Sequence, residues 1–365
     1  MSRIAVLPFV AVLFAGWAHA QQHLDGFGES KTEASIAVGI NARGQVAGIV
    51  EDEDYHQRAV LFDKRLIELG TLGGPDSYTK GINAQGDITG AAQDSDNHWR
   101  AFIVRAGTVM RDLGTLGGNS SYGAGVNDAG QVVGYADTSD GYFHAFVSDG
   151  EHAMADLGTL GGNISYAAGI NNKGEVAGTA SLSDGYRRAF LYQSGTGMRD
   201  LGTLGGRQSG ATAVNDAGLV VGASEMPNRR WHAFLWERGK MTDLGAMIGY
   251  GDSYATAING AGHVVGTVKI GEERRTFVYR DGKMTVHPGF YGLYVVNAIN
   301  GQELVIGARF IAKKFSAATM RSNQPAVATH GGQDLLLAIV AVLSIATAAM
   351  IYRRRYRGIR LNFLL

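Results

Sequence analysis

The chain has 365 residues, and its 33 basic side chains are matched by 33 acidic ones. Without a basic excess nothing is available to neutralise a phosphate backbone, which argues against nucleic acid as a partner. Fifty-three glycines and no cysteine exclude a disulfide scaffold and point to a turn-rich fold that must be stable through its own core.

The chain opens with a basic residue, Arg3, an apolar run from Ile4 to Trp17, and Ala18-His19-Ala20. This is the pattern of a secretory signal peptide over residues 1–20, with a retained anchor as the competing reading. It places the mature protein outside the cytoplasmic membrane, beginning at Gln21. Leu24-Asp25-Gly26-Phe27-Gly28 then carries the signature that ends each later repeat, and reads as an orphan fourth strand.

From there a unit of 44 residues recurs. Asp112-Leu113-Gly114-Thr115-Leu116-Gly117-Gly118 returns at Asp156 and Asp200, with an earlier copy from Glu68 and a decayed one from Asp243. A second marker is an asparagine after Ile or Val: Asn41, Asn83, Asn127, Asn171, Asn215, Asn259 and Asn300. In six copies Gly follows three residues later, the chemistry of a type I turn closed by a glycine bulge. A third marker is a basic residue, then Ala, then Phe, as in Arg100-Ala101-Phe102 and His232-Ala233-Phe234. β-rich runs flank each marker, and helical periodicity is absent.

Each unit thus predicts four short antiparallel strands, and four strands per 44 residues is the blade of a β-propeller. The fold class is all-β, with about seven blades expected over residues 21–316 and six as the alternative. Ring closure would set Leu24–Gly28 on the outer edge of the last unit, because an open ring leaves unpaired strand edges.

The C-terminal region is of another kind. Residues 317–334 read as a flexible stalk. Leu335 to Tyr352 is uncharged for 18 residues and is followed by Arg353, Arg354, Arg355 and Arg357. The first is long enough for a transmembrane helix through a lipid bilayer, and the second places a basic tail, 353–365, in the cytoplasm.

The coincidence of basic-Ala-Phe, Asp-Leu-Gly-Thr-Leu-Gly-Gly and Gly-Ile-Asn resembles the bacterial HAF repeat family over about residues 24 to 310. His144-Ala145-Phe146 and His232-Ala233-Phe234 match the family's triplet outright. The resemblance implies an extracellular repeat protein and adds no reaction.

No nucleophile elbow, zinc-protease helix or phosphate loop is present, and neither metal nor cofactor is expected. Five intra-blade pairs of a basic and an acidic residue are predicted: Arg58 with Glu68, Arg100 with Asp112, His144 with Asp156, Arg188 with Asp200, and His232 with Asp243. The alternative for each acid is a cap on the loop that follows it. Tyr78, Tyr122, Tyr166 and Tyr254 follow a recurrent serine and are expected to ring one mouth of the channel, where they would hold a sugar or peptide; packing between blades is the competing reading. The functional expectation is a non-catalytic recognition or scaffold propeller for an envelope glycan or a protein. The alternative is an envelope polysaccharide hydrolase or lyase built from acids on different blades.

Overall fold

The computed structural model describes residues 35–249, 251–271, 273–287, 295–311 and 314–321. Among these residues six sheets, blades 1 to 6 in chain order, hold four antiparallel strands each, within residues 35–68, 73–112, 117–156, 161–200, 209–243 and 253–287. The first runs Ser35–Ile40, Val46–Glu51, Gln57–Asp63 and Arg65–Glu68. A seventh sheet holds three strands, Val295–Ile299, Leu304–Ile311 and Lys314–Arg321. The fold is an all-β propeller of four-stranded blades, with the first strand of each sheet nearest the central axis.

The turn between first and second strands forms because the asparagine is used twice over. In blade 3, Asn127 Oδ1 accepts the N–H groups of Ala129 and Gln131, and Gly130 donates its N–H to the Asn127 carbonyl. Gly130 stands at φ +75°, where a side chain is disfavoured. The same bonds recur around Asn41, Asn171, Asn215, Asn259 and Asn300.

One glycine per blade makes the sheet possible. Each first strand carries a bulge, such as the skip between Gly123 and Gly125, that drives a carbonyl toward the second strand. A Cβ on Gly134 would lie 1.9 Å from the Tyr122 carbonyl oxygen, and one on Gly178 2.1 Å from that of Tyr166. The phenylalanine of the third marker pairs across from this glycine, as Phe146 does with Gly134 and Phe190 with Gly178. Its ring covers the missing side chain, and Phe102, Phe146, Phe190, Phe234 and Phe277 are all fully buried.

Apolar cores lie between sheets rather than inside one central mass. One cluster joins Val133 and Leu157 of blade 3 to Val176 and Phe190 of blade 4. Another joins Val46, Val60 and Phe62 of blade 1 to Ile306 of the seventh sheet, so the last sheet packs on the first. Serines at the start of first strands stitch the same junctions. Ser165 Oγ accepts the Ala145 N–H of blade 3 and donates to the Gly158 carbonyl, and Ser121 and Ser209 repeat this one blade away on either side.

The boundary expected at residue 316 moves outward. The last strand runs to Arg321 because Ala317, Ala318 and Thr319 continue the ladder opposite Ala308, Gly307 and Ile306. Composition alone made these small residues look like stalk. The expected signal peptide, the expected strand at Leu24–Gly28, the rest of the expected stalk, and the expected membrane span 335–352 and tail all fall outside the described residues. The chain divides into a unit of residues 1–327 and another of 328–365. Among the described residues no helix is long and apolar enough to cross a membrane.

Candidate functional site

The propeller has two unlike mouths. At one, the turns bearing the asparagines converge on a central cavity of about 310 Å³. Asn41 Nδ2 donates to the Asn83 carbonyl, Asn83 to Asn127, Asn127 to Asn171, Asn171 to Asn215, Asn215 to Asn259, and Asn259 to Asn300. Asn300 Nδ2 returns to the Asn41 carbonyl at 3.3 Å and closes a circle of seven. Sequence reasoning found the local turn and not this reach into the next blade. The clue lay in the near-constant spacing of the asparagines, with six of seven at Asn-Gly turns of equal length. Beyond the circle, Asn172 Nδ2 bridges Asp128 at 2.9 Å and Asp216 at 3.0 Å, so both rim acids are held by hydrogen bonds.

At the opposite mouth first strands begin, second strands end and third strands begin. The expected pairs sit here, and three of the five form. His144 Nδ1 lies 2.7 Å from Asp156 Oδ2, His232 Nδ1 2.9 Å from Asp243 Oδ1, and Arg188 Nε 3.7 Å from Asp200 Oδ2. The capping role operates at the same time, since Asp156 Oδ1 accepts the Gly158 N–H and Asp200 Oδ1 that of Gly202.

The other two pairs are corrected. Arg58 turns to Asp52 at 2.7 Å and to the Pro75 carbonyl, not to Glu68. Arg100 Nε bonds Asp94 at 2.9 Å, and Asp112 is left to cap Gly114. The reason is local. Asp52 and Asp94 open the turn after the second strand, where blades 3, 4 and 5 have Thr138, Leu182 and Met226. A carboxylate in that nearer turn captures the guanidinium.

Asp94, Asp96 and His98 also place three ligand atoms within 4.8 Å of one another. A dication there would face the Arg100 guanidinium already bound to Asp94, so the group does not fit a metal centre. Partial desolvation acts to raise the Asp94 carboxyl, but the Arg100 side chain and the N–H groups of His98 and Asp96 outweigh it and hold the acid below the ordinary carboxylate range.

The four tyrosines do not make an open ring. Tyr78 and Tyr122 are 6% and 1% exposed, because they fill the clefts between blades. Tyr78 packs on Trp99 at 5.2 Å between ring centroids, Trp99 on Tyr122 at 6.4 Å, Tyr122 on Tyr135 at 4.9 Å, and Tyr135 on Tyr166 at 5.0 Å. Burial raises the Tyr78 and Tyr135 hydroxyls well above their usual range, and pushes Tyr254 up to about 12. Tyr166 and Tyr254 keep part of their surface, the first under the Arg187 guanidinium at 5.9 Å and the second stacked on Trp231.

Around this mouth runs a register position that sequence reasoning did not isolate, exposed in blades 1 and 4 and half-buried against the tyrosines in blades 2, 3 and 5. Opposite the end of each second strand stand Gln57, Trp99, Phe143, Arg187, Trp231 and Arg274. The frame around them is constant and their chemistry is not. The turns beside them are acidic in blades 1 to 3, as at Glu53, Asp54, Asp96 and Asp140, and carry Arg207, Arg229 and Arg230 around blades 4 and 5.

No protein-family model matches this chain, and no curated protein matches it in sequence. Solved propellers do match in structure. The β-propeller domain of the Trilobed protease from Pyrococcus furiosus, described as having an open velcro topology, is 10% identical at a TM-score of 0.55, over 79% of this chain and 93% of that one. A puromycin hydrolase is 14% identical at a TM-score of 0.56, over 84% and 54%. The Pyrococcus horikoshii acylaminoacyl peptidase is 12% identical at 0.51, over 79% and 51%. This chain therefore spans about half the length of the latter two. At such identities the likeness is one of fold.

Proposed function

We propose that the chain is a HAF-type, non-catalytic recognition or scaffold propeller, displayed outside the cytoplasmic membrane by the C-terminal segment 335–352. The observation that carries this reading is the variable register position at the aromatic mouth. Six blades offer Gln57, Trp99, Phe143, Arg187, Trp231 and Arg274 from one hydrogen-bonded frame, and side chains that differ on a constant frame are the means by which a repeat fold acquires specificity. Trp and Phe flanked by Arg suit the faces and polar edges of a sugar chain. The acids at the other mouth are bridged by Asn172 rather than set opposite each other across a pocket, which favours binding over hydrolysis. We also read Leu24–Gly28 as the fourth strand of the seventh sheet, making it a seventh blade.

The test is a glycan and peptide array with the soluble propeller, residues 21–321, beside its Trp99→Ala and Trp231→Ala variants. Binding of one glycan class that falls at least tenfold in either variant supports the reading. Turnover of a bound polysaccharide, or binding indifferent to both tryptophans, overturns it.

A further inference from the structure

At the tyrosine mouth the first-strand rings alternate with the variable register residues. Trp99 stands between Tyr78 of its own blade and Tyr122 of the next. Phe143 stands likewise between Tyr122 at 6.0 Å and Tyr166 at 6.1 Å. Then the series breaks. Arg187 lies over Tyr166 of its own blade, and Trp231 stacks on Tyr254 of the following one. Between them the tyrosine position of blade 5 is Gly210, paired with Ala223 as Tyr254 is with Thr267. The second-strand position beside it is Thr179, where blade 3 has Tyr135 packed on Tyr166 at 5.0 Å. Two rings present between blades 3 and 4 are thus missing between blades 4 and 5.

The gap keeps its access to solvent. Thr179, Arg187, Gly210 and Trp231 all retain surface, whereas Ala91 and Tyr122, at the corresponding positions between blades 2 and 3, are sealed at 0% and 1%. A Cβ on Gly210 would lie 2.8 Å from Thr179 Oγ1, so a hydroxyl forms the floor. One wall is the exposed Arg187 guanidinium, which has no acidic partner among the described residues. The other is the indole face of Trp231 turned away from Tyr254. Arg207, over the ring of Tyr186 at 5.3 Å, sets a second positive charge beside Arg187. The acids of these turns are committed to the backbone: Asp184, Glu225 and Asp252 accept the N–H groups of Tyr186, Arg207 and Trp231.

An indole face suits the apolar face of a sugar ring, and a guanidinium takes a carboxylate through two parallel hydrogen bonds. A hydroxyl floor gives the sugar's own hydroxyls a partner. A tyrosine side chain from a peptide would match the missing ring in shape but leave the guanidinium's charge unanswered. We propose that the gap at Gly210 is the anchoring subsite of the recognition face and takes one carboxylate-bearing pyranose, a uronic-acid residue of a polysaccharide. Its carboxylate sits on Arg187 and its ring on Trp231. This rests on the reading of the chain as a glycan-recognition propeller and narrows it to acidic glycans.

The experiment is an array of uronate-bearing oligosaccharides beside their carboxyl-reduced neutral counterparts, probed with the full-length protein in detergent and followed by calorimetric titration of the tightest binder. The acidic member should bind about tenfold or more tighter than its neutral counterpart. Arg187→Gln, at an exposed position, should fold normally and remove that preference. Thr179→Ala with Gly210→Tyr places in the gap the Ala223 and Tyr254 pair found between blades 5 and 6, and should abolish binding of both members. If acidic and neutral members bind alike while Trp231→Ala weakens both, glycan recognition stands and this proposal falls. An acidic preference that survives Arg187→Gln also overturns it, as does a tyrosine peptide that binds the wild type and is lost in the filled variant. Absence of any bound glycan overturns both readings.

Discussion

Arg100 shows how one side chain chooses between two acids. It sits 2.9 Å from Asp94 and leaves Asp112 to the loop. A double-mutant cycle on Arg100→Ala and Asp94→Ala should give a coupling of about 0.5 kcal/mol or more, while Arg100→Ala with Asp112→Ala should be additive within about 0.3–0.5 kcal/mol. Denaturant unfolding measures both, and coupling to Asp112 would refute the assignment. The same contacts carry a pH dependence. The folded Asp94 carboxyl is depressed below its unfolded value. Its contribution is therefore complete above the unfolded value, about pH 4, and is lost as pH falls through the lower folded value. Asp94→Asn should flatten that part of the acid limb of stability; an acid limb of unchanged slope would count against it. The pairs in blades 3, 4 and 5 were legible in the sequence because nothing competes for His144, Arg188 or His232. Those in blades 1 and 2 were not, since Asp52 and Asp94 read as solvated turn residues until the turn's geometry is known. Tyr122 misled for a related reason: its place at a strand start was readable, but which cleft its ring fills depends on the neighbouring blade's Trp99.

At the level of the strand and turn, each recurrent residue has a separate task that substitution can isolate. Asn127→Asp keeps the oxygen that holds its own turn but loses the donor to the Asn171 carbonyl and the Gln131 side chain. It sets a carboxylate against two acceptors, and should cost about 2–4 kcal/mol, at least as much as Asn127→Ala. Urea midpoints decide this; a wild-type midpoint would mean that the bond between blades contributes nothing. Gly134→Ala forces a Cβ to 1.9 Å from a carbonyl oxygen and should cost about 3 kcal/mol or more. Gly141→Ala, at φ +81° with open space around it, should cost only about 1 kcal/mol. The four-strand unit was legible because turn chemistry and hydrophobic runs are local. The glycine opposite phenylalanine was visible as a constant and had no explanation until the bulge showed which carbonyl it admits.

For the molecule as a whole, the seam between the seventh sheet and blade 1 is the part under test. Asn297 and Asn300 both donate across it, and Ile306 packs into the blade 1 core. The seventh sheet has three strands among the described residues, and the strand read as its fourth lies near the other end of the chain. Deleting residues 21–29 should leave the outer edge of Lys314–Arg321 unpaired and increase proteolysis between residues 304 and 321. Cleavage at the wild-type rate would mean that the seam does not need that strand.

The asparagine circle has a sense of rotation: every donor points from one blade to the blade that follows it. Each link fixes the angle between two neighbours, and the last link must land on the first. Blade number is therefore constrained by the repeats as well as by the ends of the chain. A gene that lost one internal repeat would encode units still set to the old angle, and they would arrive short of closure, with a gap where the missing neighbour stood. Repeats that are near copies in sequence invite loss and duplication during replication. A change of copy number should therefore yield a broken ring before it yields a smaller one, which would limit how such a gene can drift.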